Sequence, residues 1–251
     1  MRDVITLTSK EIARFFRVWK QTLIPPVITT SLYLLIFGKF IWDRINIVDG
    51  IAYIDFIFPG LLMMSVIMAA YQNTSSSFFG SKFQKSIEEL FISPISYPRI
   101  MFGFCFGAVL RAMIVWFLVF IVGYFMADVQ IFNYFYTFLF LLLGSFLFAL
   151  MWLFNGIFAK NFDDIAIIPT FVITPLIYLG WVFYSIELLS PFWQTISMFN
   201  PILYMVNGMR YGMIGFTDIN VSVAIAILVF FIIILSTWIL YLLKKGYGIR
   251  S

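Results

Sequence analysis

The sequence holds two adjacent carboxylate pairs, Glu88-Glu89 and Asp163-Asp164. Paired acids can grip a divalent metal or share acid–base work, so chemistry is sought there first. A metal-dependent reaction at Asp163-Asp164 would need a second acidic motif on the same face, and Glu88-Glu89 lacks that spacing. Histidine is absent, which removes the commonest general base and the commonest metal ligand together. Cys105 is the single cysteine, so no intrachain disulfide can form. The run G-x-x-x-x-G-K-[ST], whose backbone N–H groups cradle nucleotide phosphates, does not occur. No catalytic residue and no metal site is therefore expected. Asp163-Asp164 reads as the acidic start of a helix and Lys160 as the basic end of the preceding one, each matching its helix dipole.

Two other features stand out. Arg111 lies inside MFGFCFGAVLRAMIVWFLVF, and the island SKFQKSIEELFISPISYPRI at 81–100 concentrates charge. A mid-membrane Arg costs about 2.5–3.5 kcal/mol unless paired or hydrated. Arg111 thus marks a wet pathway or an ion pair, or it snorkels to the headgroups of a protruding span.

The elements that must position these residues are membrane helices. Of 251 residues, 63% are hydrophobic and 11% charged, against about 25% charged in soluble domains. The apolar segments are too long for barrel strands of about 10 alternating residues. The fold class is an all-α polytopic membrane protein, with spans expected near 23–42, 54–79, 99–126, 132–159, 163–184 and 219–243. The first 20 residues are too charged for the apolar core of a cleavable signal. Residues 2–20 read instead as an interfacial helix, with Ile5, Ile12, Phe15, Phe16 and Trp19 toward the membrane and Lys10, Arg14, Arg17 and Lys20 at its edges.

Residues 188–216 are apolar but broken by Pro191, Asn200-Pro201 and three glycines. Two short re-entrant helices fit better than one span, with Asn200 capping the second and Pro201 at its first position. Non-helical backbone at membrane depth must be buried in protein or line a wet cavity. With the N-terminus inside, 12 Lys and Arg fall in cytoplasmic segments and 3 outside (Lys39, Arg44 and Arg210). Both termini and the 81–98 island are therefore expected in the cytoplasm.

The island reads as a short amphipathic helix at 81–92. Phe83, Ile87, Leu90 and Phe91 share one face, and Lys82, Lys85, Glu88 and Glu89 lie largely opposite. Ser81 and Gln84 match an S-x-x-Q capping box, and Ser93-Pro94 stops the helix. From spacing alone it is either a solubilising loop or a docking surface for a soluble partner.

Four segments decide the weighting: RFFRVWKQTLIPPVITTSLYLLIFG at 14–38, FPGLLMMSVIMAAYQNTSSSFFGSKFQKSIEEL at 58–90, NGIFAKNFDDIAIIPTFVITPLIYLGWVFYS at 155–185 and PFWQTISMFNPILYMVNGMRYGMIG at 191–215. In this order and at this length the chain resembles the permease subunits of ABC-2-type exporters. The resemblance implies a homodimer in the bacterial inner membrane, working with two separate ATP-binding cassette subunits. It makes the 81–92 helix a coupling helix, with Phe83, Lys85, Ile87, Glu88, Glu89, Leu90 and Phe91 as its contact residues. ATP and Mg would sit on the partner, and this chain would bind no cofactor. Membrane lipids are expected partners; nucleic acid is not.

The cargo would be an amphipathic lipid, drug or sugar-containing molecule. Pathway candidates are Arg111 together with Tyr178, Trp181, Phe183, Tyr184, Asn200, Tyr204 and Arg210 near the outer end of span five and the broken segment. The competing expectation is a non-ABC six-helix translocase or scaffold component, such as those of twin-arginine translocation.

Overall fold

The structure, a computed structural model, describes residues 2–37, 47–48, 51–126, 130–184 and 190–247. Residues 38–42 of the expected first span, with Lys39, Arg44, Arg250 and positions 188–189, lie outside the described residues. The described chain is almost wholly helical. Helix α1 (Arg2–Arg17) leads into α2 (Trp19–Leu35), and a two-residue antiparallel hairpin, β1 (Ile47–Val48) with β2 (Ile51–Ala52), precedes α3 (Tyr53–Phe83). Then come α4 (Ser86–Ile92), α5 (Tyr97–Met126), α6 (Tyr134–Phe158) and α7 (Phe162–Ile168), which passes through a π-helical turn, Pro169–Ile173, into α8 (Thr174–Tyr178). Helices α9 (Pro191–Ser197), α10 (Pro201–Ile214) and α11 (Val221–Lys245) complete it.

Among the described residues, four helices are long and apolar enough to cross a membrane: α3, α5, α6 and α11. Helix α2 and the α7–α8 unit are shorter and lie at the edge of the bundle. The centre is α3, which packs against α5, α6 and α10. Its first half joins Phe140, Trp152, Met205 and Val206 in one buried cluster. Its far half, beginning at Phe78, joins Ile87, Ile100, Phe104 and Leu150 in a second, at the α4 end.

Helix α10 runs antiparallel to α6: Gly212 lies against Thr137 and Gly208 against Phe140. Its 14 residues span about 21 Å at 1.5 Å per residue, so the Asn200-Pro201 turn lies level with the middle of α6. Asn200 caps it as its type suggests, with Oδ1 accepting from Ile202 N at 3.0 Å. The loop before α6 closes its other end, where Asn133 N donates to Gly212 O at 2.7 Å.

Apolar helices in lipid gain nothing from leaving lipid, so small residues that let backbones approach carry the packing. Gly60 of α3 faces the chain just past α8. A Cβ there would stand 2.7 Å from Val182 O and 2.9 Å from Val182 Cα, and backbone cannot move aside as a side chain can. Gly60→Ala is expected to destabilise the protein by about 1–3 kcal/mol, the range for overpacking. Gly80→Ala on the same helix meets nothing within 4 Å and should melt like the parent. Thermal melts of both variants in one detergent check this; equal melting would refute the close approach.

Candidate functional site

The α4 end gathers most of the charge. Helix α3 runs to Phe83, and Lys85 takes a left-handed conformation (φ +59°) that separates it from α4. The expected capping box does not form: Ser81 lies inside α3 and Gln84 is its C-cap. Continuing α3 satisfies the Ser81 and Gln84 backbone without it. Ser93, extended before Pro94, ends α4 as its sequence suggests.

Ile87 is 1% exposed and locked in the second cluster, with Leu90 and Phe91 half-buried beside it. Lys85, Glu88 and Glu89 are exposed. Phe83 is not on this face: at the end of α3 it is 66% exposed and lies beside Phe162, ring centroids 5.2 Å apart.

Lys82 fastens this end. Its Nζ donates to Ile157 O at 3.0 Å and Ala159 O at 2.8 Å, meeting carbonyls at the end of α6 that lack helical donors. Burial pushes the Lys82 ammonium below its usual value; the Asp164 carboxylate opposes the shift and Lys160 adds to it. Asp164 also closes a capping box with Asn161 at the start of α7, accepting from Asn161 N at 3.2 Å while its own N–H donates to Asn161 Oδ1 at 2.8 Å.

Helix α1 turns one row of side chains into the bundle. Leu7, Glu11 and Phe15, at i, i+4 and i+8, turn inward. Phe15 is therefore not part of an outward apolar face, whereas Ile5 and Phe16 are exposed. The expected 2–20 helix ends at Arg17, and Trp19, also exposed, opens α2. Sequence reasoning passes over Glu11, whose carboxylate accepts from the Ser77 hydroxyl and from Arg14 Nη2, the latter at 3.1 Å. The available signal is its position between Leu7 and Phe15 at helical spacing.

Arg111 is 2% exposed, and its Nη2 donates to Thr22 O at 3.3 Å. The sequence explains why that carbonyl is open: Pro26, four residues on, has no N–H to give it. Thr22 stands just after the α1–α2 corner, so the guanidinium reaches toward the α1 side of the bundle. Proline recurs with the same consequence in the α7–α8 unit. Pro169 cannot donate to Ile165 O, and the Tyr71 hydroxyl does so at 2.9 Å.

The remaining candidates meet far from α4. Arg210 is fully buried in α10. It donates through Nη2 to Trp181 O at 2.8 Å and through Nε to Phe56 O at 3.3 Å, lies over the Phe56 ring at 3.8 Å, and has Asp218 Oδ2 at 3.7 Å from Nη1. Trp181 holds φ +60°, uncommon for so bulky a residue, and its carbonyl is the one Arg210 grips. Asn200 Nδ2 donates to Leu176 O at 2.6 Å, and the Tyr204 hydroxyl to Met198 O at 2.7 Å.

Tyr184 donates to Tyr178 O at 2.7 Å, and the Phe183 ring stands 5.8 Å from Tyr33 and 6.1 Å from Tyr178. The structure thus sets seven of the eight pathway candidates along the strip where residues 176–184 pass α10, with Asn200 at one end, Arg210 and Trp181 toward the other, and Phe183 beside Tyr33 of α2. It sets Arg111 apart. No group of three or more His, Cys, Asp or Glu able to hold a metal occurs among the described residues.

The family model of the ABC-2 type transporter matches residues 2–214. The chain belongs to that family. It is 48% identical to the inner membrane transport permease YadH of Escherichia coli K12 over 246 residues, covering 98% of this chain and 96% of that protein. The YadH of Shigella flexneri matches to the same extent. Nodulation protein J of Rhizobium leguminosarum is 22% identical over 226 residues, 88% of this chain and 87% of that protein.

The chain is thus the non-catalytic transmembrane subunit of an ABC transporter, a multi-pass protein of the bacterial inner membrane. The family implies an ATP-binding cassette partner. The alternative of a translocase or scaffold from another family falls away.

If Arg111 serves the carbonyl that Pro26 leaves open, the two positions are coupled. Arg111→Met alone should cost about 1–3 kcal/mol, the range for stranding a buried polar group. In a Pro26→Ala background, where residue 26 can donate to Thr22 O, the same change should cost measurably less. Unfolding of the single and double variants in mixed micelles measures this, and strict additivity would refute the assignment.

Proposed function

We propose that this permease has six spans per subunit and works as a homodimer that exports an amphipathic, lipid-, drug- or sugar-containing molecule, powered by separate ATP-binding subunits. In this reading α2 is the first span and α7–α8 the fifth. Helices α9 and α10 dip in and out from the outer face, and both termini are cytoplasmic.

The observation that carries the reading is α4. A left-handed Lys85 and an extended Ser93 bound this helix, and Ile87 is sunk in the bundle while Glu88 and Glu89 face out. A seven-residue helix with no long-range anchor would be marginal. This one is anchored through Ile87 and offers the carboxylates of Glu88 and Glu89, with Ile92 also exposed at its end. That is the form of a lever for a soluble partner: push on the charged face and the buried Ile87 passes the load to α5. The exposed polar edge of α1 supplies a second contact, and Asp163 beside the α6–α7 turn a third.

The homodimer reading rests on the edge helices. None of the seven residues of α7 is buried, and Ile24, Ile28 and Leu32 of α2 are exposed with Ile167 and Phe171 of span five. Pairing two copies along this edge would enclose a passage between them. The aromatic junction of Tyr33, Tyr178, Phe183 and Tyr184 would stand beside it, with the buried Trp181, Asn200, Tyr204 and Arg210 holding its wall. ATP-driven closure of the partner subunits would shift α2, α3 and α7–α8 and open the passage outward.

Reversing the α4 charges tests the reading. Glu88→Lys with Glu89→Lys should lower the ATP-binding subunit recovered with the tagged permease by about tenfold or more. Lys244→Glu with Lys245→Glu, at the end of α11, should leave recovery unchanged. Full recovery with the α4 variant would remove α4 as the contact.

A further inference from the structure

One cavity outside the coupling region has a chemistry of its own. Between α2 and α3 lies a cleft of about 260 Å³, lined by Pro25, Thr29, Thr30, Tyr33, Ser65 and Met68 among others. Among the described residues no charged side chain lines it, although hydroxyls are concentrated there. Ser65 Oγ donates to Leu61 O at 3.1 Å, so in the 2.8 Å contact with Thr30 Oγ1 it is Thr30 that donates. Thr30 is left with lone pairs to accept. The hydroxyls of Thr29 and Tyr33 make no hydrogen bond among the described residues, and each can donate and accept. The Tyr33 ring leads away from the cleft toward Phe37 and Phe183, centroids 6.0 and 5.8 Å off.

We infer that this cleft takes the uncharged, hydroxyl-bearing head group of an amphipathic molecule. The inference rests on the permease reading and narrows its cargo. The volume falls below the roughly 300–1,000 Å³ of pockets that enclose a drug-sized ligand, so the cleft holds a head group and leaves the chain outside. A charged head group would meet no counter-charge in this wall and would lose its hydration uncompensated. A purely apolar group would strand the Thr29 and Tyr33 hydroxyls. A ligand hydroxyl both donates and accepts, which matches an acceptor at Thr30 beside two groups able to do either. The aromatic rings beyond Tyr33 give the attached apolar part a surface to follow.

The test uses the full-length permease in phosphatidylcholine nanodiscs and a photoreactive octyl β-glucoside, with labelled peptides mapped by mass spectrometry. Labelling should concentrate on α2 around 25–33 and on α3 around 61–68. Excess octyl β-glucoside should suppress it, and octyl sulfate or octyltrimethylammonium at equal membrane loading should not. Thr29→Val removes a hydroxyl that no described contact uses, so the fold should be untouched while labelling falls about fivefold, the loss of one hydrogen bond.

Thr30→Val should lower labelling similarly. Labelling spread evenly over lipid-facing helices such as α11 would overturn the proposal. So would equal competition by the charged amphiphiles. If Thr30→Val lowers the melting temperature while both variants label like the parent, the Thr30–Ser65 pair is an interhelical contact only and the proposal fails. The measurement needs no ATP-binding subunit, so its failure would leave the α4 result standing, and the reverse holds equally.

Discussion

A carbonyl oxygen without a donor is the constraint around which this bundle is organised. In hydrocarbon no water can supply the missing hydrogen bond, so each interruption of a helix must be answered by protein. The answers are side chains arriving from other helices. Arg111 meets the carbonyl that Pro26 leaves open, and Tyr71 meets the one that Pro169 leaves open. Lys82 meets two carbonyls at the end of α6, Asn200 one at the end of α8, and Arg210 grips the turn at Trp181. Each bond closes a break and also ties one helix to another.

This arrangement divides the molecule by how firmly its parts are held. Helices α3, α5, α6 and α10 interlock through buried side chains and close glycine contacts. Helix α2 and the α7–α8 unit hold Pro25, Pro26, Pro169 and Pro175 and sink only a few side chains into the core, Leu23 and Leu34 from the first and Ile173 and Ile177 from the second. The donor–carbonyl bonds are therefore a larger part of what ties them to the frame. A transporter needs such a division, because the parts that move should hang on a few directional contacts and the frame on many diffuse ones. Helix α4 is joined to the frame, since Ile87 lies within the cluster that holds α5 and α6 together.

Much of this is legible in the sequence. Long apolar runs fix the positions of α3, α5, α6 and α11, and Asn200-Pro201 announces the start of α10 through local capping chemistry that needs no knowledge of the fold. The end of α3 defeats the same local logic. A cap is worth about 1 kcal/mol, and extending an already formed helix through Phe83 outweighs the Ser81–Gln84 motif. What the sequence does not carry is the pairing. Arg111 and Thr22 are 89 residues apart, Tyr71 and Ile165 94, and Arg210 and Phe56 154. Proline shows which carbonyl is left open, but only the packed bundle shows which side chain arrives. Glu11 is hidden likewise, because on a helix rich in surface charge its inward direction depends on α3 being alongside.

The most direct measurement of this constraint is a double-mutant cycle at Tyr71 and Pro169, unfolding the intact permease in mixed micelles. Tyr71→Phe removes the hydroxyl that serves Ile165 O, and Pro169→Ala restores a backbone N–H four residues on. If the open carbonyl is what the hydroxyl answers, Tyr71→Phe should cost about 1 kcal/mol more in the parent than in the Pro169→Ala background, a coupling of that size between the two sites. Costs that add with no coupling would mean that the carbonyl is satisfied some other way, and proline-opened carbonyls would not be what organises the bundle.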